Sequence, residues 1–278
     1  MSVLDAVDGW DVPHVAVAVV GAGGTVLETR GPVDRPFRLA SISKLLTSYA
    51  LLVGAEGGSI GLDDAAGPRG ATVRHLLAHA SGLGFEAGDR VRARPGKRRI
   101  YSNAGIEAAA QHLAERTSVG FENYLTEAVL TPLGMASSSL YGSPAHDVYG
   151  PVVDLLAFAG ELFAPRLLPE ATLREAIGVQ FPGLSGVMPG IGRFDPCDWG
   201  LGFERNFGRP KHWAGTLAST QAFGHFGAAG TFFWVDPVAA VACICLTDRP
   251  FDAWALEAWP PLCDSVISAY GPGVAPST

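Results

Sequence analysis

The chain has 278 residues, 48% of them hydrophobic, enough for one large domain or a domain with an inserted subdomain and far too apolar for disorder. A formal net charge of −7 argues against a general nucleic-acid binder, whose footprint is basic. No apolar run reaches the roughly eighteen residues of a membrane-spanning helix, so no membrane partner is expected.

The N-terminal residues carry Asp5 and Asp8 where a signal peptide would be basic and then apolar, so a cytoplasmic protein is expected if this is the natural start. Val15 to Val20 and Thr25 to Thr29 are β-rich runs joined by Gly21-Ala22-Gly23-Gly24, the pattern of a hairpin with a glycine turn. The glycines do not make a dinucleotide loop, because the third is misplaced and no helix follows. A helix is expected from Ser41 to the paired Gly57-Gly58.

Within that helix, Lys44 is one of only three lysines and sits among Ile42, Leu45, Leu46 and Tyr49. Residues three apart share a helix face, so Ser41 and Lys44 point the same way. A partly desolvated amine can help remove a serine proton, and the helix N-terminus favours a developing oxyanion. The plainer alternative is that Ser41 caps the helix and Lys44 snorkels to water.

Thr72 can cap a short helix that ends near Leu76-Leu77-Ala78-His79-Ala80-Ser81-Gly82-Leu83, where His79 is expected to hold a loop by hydrogen bonds rather than act as a base. The basic run Arg90, Arg92, Arg94, Lys97, Arg98 and Arg99 lies in a Pro/Gly-containing loop, either a solvated surface or a rim that attracts anions. Helical periodicity follows over 104–115, 121–129, 152–162 and, more weakly, 170–177. Strands are expected over 200–204, 230–235 and 239–246, then a last helix over 253–270 interrupted by Pro260-Pro261. The four cysteines, Cys197, Cys243, Cys245 and Cys263, form no Cys-x-x-Cys pair and read as buried free thiols. Seven histidines are scattered without metal-ligand spacing, and neither a metal nor a cofactor is implied.

Strands at both ends with helices between predict an α+β fold: an antiparallel sheet built from residues 1–65 and 198–278, flanked by helices, and a mainly helical insertion over 66–197. The cleft between those parts is the expected place for a site.

Two further segments can partner Ser41 and Lys44. Tyr101-Ser102-Asn103 precedes a helix, and Gly224-His225-Phe226-Gly227-Ala228-Ala229-Gly230 precedes a strand. Together with Ser41-Ile42-Ser43-Lys44, in this order, the set resembles the penicillin-recognising serine hydrolases, specifically the branch of class C β-lactamases, DD-peptidases and related esterases. Leu76-Leu77-x-His79-x-Ser81-Gly82-Leu83, Pro132-Leu133-Gly134-Met135 and Trp199-Gly200-Leu201-Gly202 are similar to that family as well. The resemblance implies a β-lactamase/transpeptidase-like fold, with Ser41 as acylated nucleophile, Lys44 bonded to it and Tyr101 exchanging the serine proton. It further implies that Asn103 fixes Lys44 and meets a substrate carbonyl, that His225 and Gly227 line the opposite wall, and that the backbone N–H groups of Ser41 and Ala228 form the oxyanion hole.

His225-Phe226-Gly227 stands where many β-lactamases carry Lys-Thr-Gly. A histidine with pKa ~6.5 is mostly neutral at pH 7, which weakens the case for anionic β-lactams. A cytoplasmic esterase or amidase on small uncharged acyl substrates, with acyl transfer as an extension, is therefore expected. A DD-peptidase or β-lactamase and a catalytically silent binding module of the same fold are the alternatives. The expected partner is a small-molecule acyl substrate; no feature sets an oligomeric state.

Overall fold

The structure, a computed structural model, describes residues 2–205 and 212–271. Met1, residues 206–211 and residues 272–278, which fall in the expected sheet-containing part, lie outside the described residues. In chain order the main elements are β1 (Val15–Gly21), β2 (Val26–Arg30), α1 (Ser43–Glu56), α2 (Val73–Leu77), α3 (Asn103–Thr117), α4 (Phe121–Leu125), α5 (Val152–Phe163) and α6 (Glu170–Ile177). They are followed by β3 (Glu204–Arg205), β4 (Phe223–Gly227), β5 (Thr231–Asp236), β6 (Val241–Thr247) and α7 (Ala253–Tyr270).

The six strands form one antiparallel sheet in the order β2-β1-β6-β5-β4-β3, so strands from the two chain ends meet where β1 pairs β6, Val15 opposite Thr247 through Gly21 opposite Val241. This is the α+β architecture expected from the sequence. Successive side chains alternate faces. Ala16, Ala18, Val20, Ile244 and Leu246 join α1 and α5 in one core, while Val17, Val19, Trp234, Cys243 and Cys245 join α7 in a second. Burial on both faces explains why these strands read as continuous apolar runs rather than as an alternation. All four cysteines are buried and free. No helix among the described residues is long and apolar enough to cross a membrane.

Three local expectations need correction. Helix α7 runs unbroken through Pro260 and Pro261. Each proline costs about 3 kcal/mol in a helix interior, but the same helix buries Ala255, Trp259, Leu262, Cys263 and Val266 against the sheet, and each large apolar side chain contributes about 1.5–3 kcal/mol. Residues 200–203 are not a strand. They turn back against α1, with Gly202 N–H donating to Leu77 O and a Cβ on Gly202 falling 1.9 Å from Ser48 Oγ. Ser41 lies in a 3₁₀ turn, Ala40–Ile42, and α1 itself begins at Ser43.

That 3₁₀ turn rests on β4, which fixes the glycine of the His-x-Gly segment. A Cβ on Gly227 would fall 2.6 Å from Leu39 O and 2.4 Å from Thr231 Oγ1, and Thr231 Oγ1 donates to Leu39 O at 2.9 Å. Ala40, directly before Ser41, has φ 48°, a left-handed conformation that costs a residue with a Cβ about 1–3 kcal/mol. The turn carrying Ser41 is thus held in place from both sides.

Candidate active site

Lys44 points from the first turn of α1 into the protein and is 0% exposed, so it does not snorkel, and Ser41 makes no side-chain cap. The ammonium has three protons and three neighbouring acceptors: Asn103 Oδ1 at 2.7 Å, Ala145 O at 2.9 Å and Ser41 Oγ at 3.2 Å. No carboxylate among the described residues is in contact. Burial therefore lowers the Lys44 pKa from 10.5 to about 7, with Glu86 and Glu107 opposing the shift from a distance. Two of the acceptors are carbonyls and can only accept. In the neutral amine the two remaining protons satisfy them, and the lone pair faces Ser41 Oγ–H.

The Tyr101 hydroxyl donates to Ser41 Oγ at 2.7 Å and also lies 3.3 Å from His225 Nε2. Burial pushes the Tyr101 phenol up, so it keeps its proton at neutral pH. The His225 Nδ1–H donates to Phe226 O at 2.6 Å, which leaves Nε2 as an acceptor. Burial, reinforced by the nearby Lys44, lowers His225 to about 4, and the imidazole is neutral around pH 7. Lys44 Nζ also lies 4.7 Å from the centre of the Tyr101 ring.

A cavity of about 230 Å³ opens on this cluster, lined by Ser41, Tyr101, His225 and Ala228 together with apolar residues that include Phe85, Met188, Phe226 and Phe251. Lys44 and Asn103 sit behind it, and Gly227 lies beneath, against the Leu39 carbonyl. The Ala228 N–H makes no hydrogen bond among the described residues, so a donor on the cavity wall is open for a ligand oxygen. The structure thus gathers the sequence-predicted residues Ser41, Lys44, Tyr101, Asn103, His225, Gly227 and Ala228 around one point.

His79 is buried at φ 54°, and its Nδ1 accepts the Ser102 N–H at 3.2 Å; its ring packs 4.7 Å from that of Tyr101. It holds the Tyr101-Ser102-Asn103 segment, as expected of a loop-fixing histidine. Sequence reasoning missed Glu86. Its Oε1 accepts from Asn103 Nδ2 at 2.9 Å, which turns Asn103 Oδ1 toward Lys44. Also missed was Ala145, whose carbonyl needs no particular side chain and so leaves no sequence signal. Glu86 sits in a loop without periodicity, and only the fold brings it to Asn103.

The antiparallel sheet and this Ser-Lys-Tyr cluster define a protein of the β-lactamase/transpeptidase type. The model of the beta-lactamase family matches residues 5–262, and the chain belongs to that family. Among solved structures, it is 46% identical to a beta-lactamase from Mycobacterium bovis, Mb2281c, with a TM-score of 0.95 over 97% of this chain and 100% of that one. It shares the fold, at 18% identity and a TM-score of 0.81 over 97% of both chains, with the simvastatin synthase LovD of Aspergillus terreus. It also shares it, at 17% identity and a TM-score of 0.73 over 95% of this chain and 96% of that one, with EstCE1, a hydrolase with promiscuous acyltransferase activity. No curated protein matches the sequence.

Proposed function

We propose that this chain is a serine hydrolase that works through an acyl-enzyme on Ser41 and acts as an esterase or amidase on small substrates with an uncharged acyl group. The observation that carries this is the setting of Ser41 Oγ, between a buried amine whose proton affinity has fallen to about 7 and a phenol that keeps its proton. Neutral Lys44 accepts the Ser41 proton as Oγ attacks the substrate carbonyl carbon. The resulting oxyanion meets the Ser41 and Ala228 N–H groups. When the tetrahedral intermediate collapses, the bond to the leaving atom breaks, and the Lys44–Tyr101 pair returns the proton to that atom through the Tyr101 hydroxyl on the cavity wall. Water, or an alcohol in acyl transfer, then attacks the ester on Ser41 by the reverse proton path.

The acyl cavity supports the substrate class. Its lining side chains among the described residues carry no cation, and the position where many relatives hold a lysine is a neutral His225 beside Tyr101. An anionic acyl group would be desolvated there without a partner. A short p-nitrophenyl ester should therefore be cleaved much faster than a chromogenic cephalosporin. Ser41→Ala should abolish ester turnover and labelling by a fluorophosphonate probe. Turnover by Ser41→Ala equal to the parent would overturn the assignment of the nucleophile.

A further inference from the structure

A second basin, of about 490 Å³, adjoins the acyl cavity and shares Phe85, Tyr101 and Pro189 with it. Its remaining wall is different in kind: Arg92, Arg98 and Arg99 with Ile100 and Val187. These belong to a stretch with six cations between residues 90 and 99 in a chain of net charge −7.

The three arginines are not equivalent. Arg99 is buried, and its guanidinium donates to the carbonyls of Cys197, Ala78, Gln180 and Phe181, so it is spent on holding the loop. Arg92 and Arg98 are exposed, and neither makes a side-chain hydrogen bond or ion pair among the described residues. The carboxylates of Glu86 and Asp89 accept from Asn103 Nδ2 and the Glu86 N–H, and neither pairs with Arg92 or Arg98 among the described residues. The backbone beneath the two arginines is pinned. Arg92 N–H donates to Gly82 O and Gly96 N–H to Ala80 O, both at 2.8 Å, and the loop approaches Gly82 so closely that a Cβ there would fall 2.0 Å from Ala93 O. Two uncommitted guanidinium groups on a fixed loop, lining a concavity, make a ready site for a planar or tetrahedral anion.

We infer that Arg92 and Arg98 bind a carboxylate or phosphate on the departing half of the substrate, so that the enzyme cleaves acyl compounds whose acyl part is apolar and whose leaving group is anionic. This rests on the proposed acyl-enzyme for its direction. Tyr101, which returns the proton to the leaving atom, is the one polar side chain among the three residues that line both cavities, so the leaving group lies on the basin side. The Phe85 and Tyr101 rings, stacked 6.0 Å apart, line the passage and suit an aromatic or aliphatic body between ester and anion. The charge does not suit the acyl side, whose lining among the described residues holds no cation.

Three acetate esters separate the possibilities: phenyl acetate, 4-acetoxybenzoate and 4-acetoxyphenyl phosphate. In the Arg92→Ala/Arg98→Ala protein, kcat/KM should fall about tenfold for the two charged esters and stay unchanged for phenyl acetate, and added salt should erase the difference in the parent. The more strongly affected charged ester identifies carboxylate or phosphate as the preferred group. An equal fall for all three esters, or no fall for the charged ones, overturns the inference. If no ester is hydrolysed, the acyl-enzyme reading fails, and calorimetric titration with benzoate and phenyl phosphate decides the basin separately. Binding by the parent that the double variant loses supports the site; equal binding by both, or none by either, removes it.

Discussion

Helix α1 buries two titratable side chains five residues apart, Lys44 and Tyr49, and their surroundings differ in one respect. Tyr49 donates to Glu161 Oε1 at 2.6 Å, and the same oxygen accepts the Arg166 and Leu167 N–H groups at 2.8 and 2.7 Å, with the Arg166 guanidinium 3.5 Å from Oε2. Three donors converge on one oxygen of that buried carboxylate, and a cation stands beside the other, which makes no hydrogen bond among the described residues. Lys44 is equally buried and its three hydrogen bonds are made, but every partner is neutral. A buried ion whose shell offsets its charge serves as architecture. One whose shell satisfies only its hydrogen bonds is left near its titration point and can exchange a proton.

The largest effects should fall on opposite properties at the two places. Lys44→Met is expected to lower ester kcat/KM by about 10³-fold or more at a smaller cost in stability near neutral pH than a change at Glu161, because the apolar chain relieves the burial of the amine while Asn103 Oδ1 and Ala145 O lose their donor. Glu161→Ala should do the reverse. It removes the acceptor of a buried hydroxyl and two backbone N–H groups, so the unfolding free energy should drop by about 3 kcal/mol with activity per folded molecule retained. Denaturant unfolding and steady-state kinetics on both variants test the contrast, which collapses if Lys44→Met destabilises as much as Glu161→Ala.

The next effect is a pH dependence with a definite sign. The native Lys44 pKa is about 7 and its ordinary value is 10.5. Between those values the unfolded chain holds more protons at this site than the native chain, so its contribution to stability rises with pH across the window and is flat below about 7 and above about 10.5. Activity should rise through pH ~7 as the amine becomes able to accept the Ser41 proton. His225, already neutral well below that pH, should add no further limb there. Subtracting the pH–stability profile of Lys44→Met from that of the parent isolates the term; a flat difference across the window would place the Lys44 pKa near its ordinary value.

How much of this was legible in the sequence follows from what each feature depends on. The sheet strands were readable because β1, β5 and β6 are apolar runs bounded by turns, and Ser41, Lys44, Tyr101 and His225 because their side-chain types and order carry the chemistry. Residues 200–203 were misread because Gly202 is fixed by its approach to Ser48, a contact across about 150 residues that no local pattern encodes. The unbroken course of α7 escaped for a related reason: proline is a local signal against a helix, whereas the burial of Trp259, Leu262 and Val266 that outweighs it is tertiary. The arginines of the basin were visible as a basic run, but only the fold spends Arg99 on carbonyls and leaves Arg92 and Arg98 facing a cavity joined to Ser41.

The smallest effect sharpens the comparison most, because it tests whether charge at a distance, rather than hydrogen bonding, sets the Lys44 proton. Glu86 is exposed, touches Asn103 and not Lys44, and raises the Lys44 pKa against the larger lowering by burial. Glu86→Gln keeps a carbonyl oxygen for Asn103 Nδ2 and removes only the charge. The midpoint of the rise in kcat/KM should then move to lower pH by a fraction of a unit, with the plateau rate within about threefold of the parent; raising the salt should shrink the shift, since water and ions screen so exposed a group. Glu86→Ala loses the acceptor as well, frees the Asn103 amide to turn and should lower the plateau too. If both substitutions lower the plateau equally and neither moves the midpoint, Glu86 only anchors Asn103, and the neutral shell with its burial sets the Lys44 pKa unaided.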